Sequence, residues 1–130
     1  YNTYRESKTQ EQVLMSKVTI YHNPRCSKSR QTLQLLEEKG IDPNIVLYLE
    51  TPPDKGTLSK LINQLGITAR ELIRSGEDEY KAMKLSDKSL SDEALVDAMV
   101  RSPKLIQRPI VVADGNAVLG RPPENILDII

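Results

Sequence analysis

KVTIYHNPRCSKSR, residues 17–30, contains the only cysteine and the only histidine of the 130-residue chain, together with a switch from strand to helix. Val18, Thr19, Ile20 and Tyr21 are β-branched or aromatic, so residues 17–21 are predicted to form a short strand. Asn23-Pro24 breaks it. From Ser27 the pattern becomes helical, with Leu33, Leu35 and Leu36 making an apolar stripe that ends before Gly40. Cys26 is thereby set at a helix N-terminus, where free backbone N–H groups and the positive end of the macrodipole favour an anion, a thiolate or a bound oxyanion. Arg25, Lys28 and Arg30 add cationic charge. A free thiol titrates near ~8.5 and such surroundings bring it to roughly 3.5–7.5, so Cys26 is expected to be largely thiolate at neutral pH. A lone cysteine is most often a small buried hydrophobe, but a structural thiol rarely sits among cations behind an Asn-Pro turn. His22, four residues earlier, is either a hydrogen-bonded strand-end residue or a partner of the thiol.

The whole chain sets bounds on function. Its length suits one modest core. Lys plus Arg and Asp plus Glu both total 18, so no basic field draws the chain to nucleic acid or anionic lipid. No run reaches the length of a membrane span and no leader resembles a secretory signal, which predicts a cytoplasmic protein. One cysteine cannot close an internal disulfide, so a redox cycle has to borrow a second thiol, and one Cys with one His does not complete a zinc site. Residues 1–14 are polar and aperiodic and are expected to be a disordered leader or artificial remnant preceding a single domain over residues 15–130.

Further along, residues 45–49 are a continuous apolar run predicted to be a strand buried on both faces of a sheet. Asp54 caps a helix carrying Leu58, Leu61, Ile62 and Leu65 before Gly66. Residues 67–103 read as broken helix: a piece at 69–73, a turn at Ser75-Gly76, a piece at 79–83, and a well-capped one at 91–100 with Ser91 as N-cap and Leu90 and Leu95 as a hydrophobic staple. Ile110-Val111-Val112 and Ala117-Val118-Leu119 flank Asp114-Gly115 as a type I′ hairpin, and Pro122-Pro123-Glu124 opens a short terminal helix. The Arg108-Pro109 bond, just before the third strand, is expected to be cis. This order is similar to that of an α/β, thioredoxin-like mixed sheet with a helical insertion between its two halves.

From Met15 to Ile130 the chain resembles the glutaredoxin-linked arsenate reductase family, through IYHNPRCSKSR, VLYLETPP, ARELIR, LIQRPIVV and LGRPPE in one order. The resemblance implies that Cys26 attacks arsenate, that Arg74, Arg108 and Arg121 bind the oxyanion and its arsenic adduct, and that His22 helps keep the thiol deprotonated. It implies glutathione as co-substrate and glutaredoxin as partner. No bound cofactor is expected, and the chain is expected to be a monomer that, from its charge and hydropathy, binds neither nucleic acid nor membrane. Forked, permanently charged guanidinium groups suit a tetrahedral dianion better than ammonium groups do. Ser27 directly follows Cys26, where members linked to arsenic resistance typically carry Gly, and this is closer to a branch whose substrate is poorly established. Two alternatives are a regulator of the Spx type that binds RNA polymerase, and a monothiol glutathione-dependent oxidoreductase, for which Cys26 and Ser29 form C-x-x-S. The phosphatase-like arsenate reductases use C-x5-R, and only three residues separate Cys26 from Arg30.

Overall fold

A computed structural model describes residues 18–130. Residues 1–14, the expected leader, and Lys17 at the start of the first strand lie outside the described residues. Four strands, β1 (Val18–His22), β2 (Asn44–Leu47), β3 (Ile110–Ala113) and β4 (Asn116–Leu119), form one mixed sheet in the order β2-β1-β3-β4. β1 pairs with β2 in parallel and with β3 antiparallel, and β3 pairs with β4 antiparallel. The hairpin joining the last two turns at Asp114 (φ 50°) and Gly115 (φ 83°), the two left-handed positions that a type I′ turn requires.

Helices cover both faces. On one side lie α1 (Ser27–Glu38) and the C-terminal 3-10 turns over Pro123–Asp128, with Ile20, Leu36, Val111 and Ile126 buried between them and the sheet. The larger core is on the other side, beneath α2 (Lys55–Leu65), α3 (Ala69–Leu72), α4 (Asp78–Ala82) and α5 (Asp92–Arg101). The alternation along β3 feeds both cores, Ile110 facing the larger and Val111 the smaller. In α2, Leu58, Leu61 and Ile62 are buried as the helical spacing requires, and each fully buried side chain of this kind contributes roughly 1.5–3 kcal/mol. Asp54 caps that helix by accepting from Thr57 N–H, 2.7 Å, and Ser91 caps α5 by accepting from Ala94 N–H, 3.1 Å.

Two expectations are corrected. The second strand is an edge strand of four residues, with Asn44 and Ile45 exposed and Leu49 already in the following turn, because β1 takes its other neighbour from the C-terminal hairpin. An apolar run does not reveal whether a sheet continues past it. The terminal segment is 3-10 rather than α-helical: Asn125 N–H donates to Pro122 C=O, 3.0 Å, and only Pro123 and Ile126 are buried. Arg108-Pro109 is cis as expected, and Arg121-Pro122 is cis as well. Among the described residues, no helix is long and apolar enough to cross a membrane.

Candidate active site

Strand register brings the chemistry to one edge of the sheet. His22 lies opposite Leu47, Tyr21 opposite Ile110, and Ile110 opposite Leu119, so β1, β2 and β4 end where β3 begins. The four segments that leave or enter along this edge are the loop from Asn23 to Cys26, Tyr48, Arg108-Pro109, and Gly120-Arg121. The carboxyl ends of parallel strands are where α/β folds bind ligands.

Cys26 is the N-cap residue of α1, with extended backbone (φ −93°, ψ 124°), and its side chain makes no capping bond. The loop before it is held by Cys26 N–H donating to Asn23 C=O, 3.0 Å, by Arg25 N–H donating to Asn23 Oδ1, 3.0 Å, and by Arg30 Nη1 donating to Pro24 C=O, 2.8 Å. The partly buried thiol feels opposing effects. Desolvation raises its pKa, but the Ser29 N–H, the hydrogen bond and charge of Arg108, and the Lys28 N–H together outweigh it, and the thiol is held below its ordinary value. The helix N-terminus acts as expected. The cationic contribution differs from the sequence reading, because Arg25 and Arg30 are exposed to solvent and the guanidinium that acts on the thiolate comes from Arg108, far along the chain.

His22 is buried and its Nδ1 shares a 2.6 Å hydrogen bond with the Ser29 hydroxyl, which also accepts from Asn23 N–H, 3.0 Å. Burial first, then the Arg30 charge, lowers the His22 pKa, so the ring is neutral at pH 7. It reaches the thiol through Ser29, whose own backbone N–H lowers the Cys26 pKa. Sequence reasoning noted Ser29 only as the last residue of C-x-x-S. Its position three residues after the cysteine, on the same helical face, was the available signal.

The arginines converge from three segments. Arg121 Nη1 lies 3.9 Å from Cys26 Sγ and donates to Arg108 C=O, 3.3 Å. Gly120 seats it: Gly120 N–H donates to Pro109 C=O, 2.9 Å, and a Cβ there would stand 2.5 Å from Thr32 Oγ1 and 2.8 Å from Pro109 Cγ. Arg74 is delivered by α3, whose Thr68-Glu71 capping box fixes its start, and by a bridge between Ile73 and Ile106 in which Arg74 N–H donates to Leu105 C=O, 2.7 Å. That bridge sets Arg74 beside the segment that leads into Arg108. Arg74 Nη2 is 3.7 Å from Glu77 Oε2, and Glu77 acts in turn on Tyr48, which lies within electrostatic reach of Cys26. Cys26, Arg108 and Arg121 are therefore in direct relation, and Arg74 joins them through Glu77 and Tyr48. Arg74 Nη1 and Arg108 Nε are buried without a hydrogen-bond partner among the described residues. Buried donors are normally paired, so these two are available to an acceptor that enters. A groove of about 320 Å³ beside the loop is lined by Asn23, Pro24, Arg25, Leu49 and Glu50, among others.

The chain is 59% identical over 118 residues to the uncharacterized protein YfgD of Escherichia coli (strain K12), covering 90% of this chain and 99% of that one. It is 49% identical over 113 residues to an arsenate reductase of Neisseria meningitidis serogroup A, covering 86% and 97%. The solved arsenate reductase from Vibrio cholerae superposes with a TM-score of 0.85 at 54% identity, over 87% of this chain and 97% of that one. The ArsC family model matches residues 21–129, the span that holds the cysteine and all three arginines, and the chain belongs to the ArsC family.

Proposed function

We propose that the protein reduces arsenate to arsenite through a covalent thiol–arsenic adduct on Cys26, with glutathione as co-substrate and glutaredoxin as the thiol that regenerates it. One observation carries this reading: Arg108 and Arg121 meet a thiol whose pKa is lowered, and Arg108 Nε, like Arg74 Nη1, is a buried donor without a hydrogen-bond partner among the described residues. An anion drawn to those guanidinium groups meets a nucleophile at the same point. The relatives that bear the name arsenate reductase support arsenate as that anion.

In the first step the Cys26 thiolate forms an S–As bond, and one arsenate oxygen, protonated, leaves as water with arsenic still pentavalent. A glutathione thiol then supplies the second sulfur. Arsenic takes up two electrons and departs as arsenite, and the two sulfurs remain as a mixed disulfide between Cys26 and glutathione. Arsenate and two thiols thus give arsenite, one disulfide and water. A glutaredoxin thiol exchanges with the mixed disulfide and frees Cys26. Arg108 and Arg121 offset the negative charge on the adduct oxygens, Arg74 offers its buried Nη1 to the oxyanion, and neutral His22 acts as a positioning residue that keeps Ser29 and its N–H against the thiolate. Arg25 and Glu50 in the adjoining groove match the carboxylate and ammonium ends of glutathione. A borrowed-thiol cycle of this kind suits the reducing cytoplasm. The test is arsenite formation from arsenate, glutathione and glutaredoxin: the reading requires turnover that Cys26→Ser abolishes, and no arsenite from wild-type protein with both thiol donors present overturns it.

A further inference from the structure

Tyr48 follows the last residue of β2, and since Leu47 lies opposite His22, it stands at the active edge of the sheet beside Asn23. Its side chain is 1% exposed and its hydroxyl has no hydrogen-bond partner among the described residues. Buried phenols usually find one, and leaving one unpaired costs stability. The hydroxyl is surrounded by the chemistry of the site. Arg108, Asn23, Cys26 and Glu77 all lie close enough to act on it, and the Asn23 side chain approaches without closing a hydrogen bond. Burial pushes its pKa up to about 12 despite Arg108 and Asn23, so it keeps its proton and remains a donor at neutral pH. It joins Arg74 Nη1 and Arg108 Nε as a third buried donor without a partner among the described residues; Arg108 acts on it directly and Arg74 is linked to it through Glu77.

We propose that the Tyr48 hydroxyl donates a hydrogen bond to the oxyanion held beside Cys26, adding a neutral, directional donor to the guanidinium groups of Arg74, Arg108 and Arg121. This role deepens the oxyanion reading of the site and rests on it. A neutral donor adds orientation where a fourth cation would bind the anion without aligning it. The idle hydroxyl of the free protein is then satisfied only when the anion is present, and the stability forgone is a cost of function.

The experiment is protection of Cys26 from iodoacetamide by arsenate, phosphate and sulfate without glutathione, in wild-type and Tyr48→Phe protein, with thermal melting of both. Wild-type protection is expected to saturate. In Tyr48→Phe the half-protecting anion concentration should rise about tenfold or more, and Tm should stay level or rise, since no bond of the free protein is lost. Equal half-protecting concentrations overturn the Tyr48 role and leave the oxyanion site standing. A lower Tm or a failure to fold overturns it too, since the hydroxyl would then hold the fold and not the ligand. Wild-type alkylation unchanged by all three anions overturns the oxyanion reading itself, and the Tyr48 role with it.

Discussion

Arg121 turns one guanidinium nitrogen, Nη1, toward both Cys26 Sγ, 3.9 Å away, and the Arg108 carbonyl, 3.3 Å away. Residues 95 positions apart in the chain are thereby joined at the reacting atom. The remaining N–H groups of that fork are the ones a bound oxyanion would use. Arg121→Lys keeps the charge and loses the fork, so turnover with arsenate should fall by roughly 10²–10³ while circular dichroism stays unchanged. Near wild-type turnover would reduce Arg121 to a surface charge.

Arg108 contributes both a hydrogen bond and a charge to the lowered thiol pKa. Removing both in Arg108→Met takes away the side-chain contributions that oppose desolvation beside the Ser29 and Lys28 N–H groups, so the thiol pKa should move up and reactivity at pH 7 should drop. Alkylation rate against pH reads this directly. An unmoved midpoint would mean that the helix N-terminus and Arg121 sustain the thiolate without Arg108.

Gly120→Ala inserts a methyl 2.5 Å from Thr32 Oγ1 and 2.8 Å from the Pro109 ring. Either α1 or the Arg121 segment has to give way. The expected cost is about 1–3 kcal/mol in stability, with a larger loss of activity than of stability because Cys26 and Arg121 are on the two sides of the contact. Urea midpoints and turnover together check it, and Thr32→Ala in the same chain should restore part of both.

The buried, neutral His22 makes the fold sensitive to acid. Its folded pKa lies below the ordinary 6.5, so as pH falls past about 6.5 the unfolded chain takes up the proton first. Stability is complete above that value and is lost as pH drops toward the lowered folded value. His22→Gln should flatten this part of the curve of urea midpoint against pH. An equally steep curve in the variant would assign the acid sensitivity to another group.

Local chemistry made much of this readable in the sequence. The Val-Thr-Ile-Tyr run, the Asn-Pro break, the Asp114-Gly115 turn and the Ser91 cap each decide a structure within a few residues, and each is present in the fold. Sheet order is decided by pairing across ninety residues, so the edge position of β2 and the exposure of Ile45 could not be read from the run that forms it. The site divides in the same way. Cys26 at its helix N-terminus was legible, but the guanidinium that lowers its pKa comes from Arg108, the seat of Arg121 depends on Gly120 meeting Thr32, and Tyr48 reads as an ordinary strand tyrosine until its hydroxyl is seen without a partner among the described residues.

Arsenate chemistry at Cys26 is read most directly by the intact mass of the protein, and the site of modification, after incubation with arsenate and glutathione in the absence of glutaredoxin. The mixed disulfide with glutathione is expected to accumulate on Cys26 only when arsenate and glutathione are both present, with one arsenite released per protein modified. Equal modification by glutathione without arsenate, or arsenite released by Cys26→Ser protein, would contradict it.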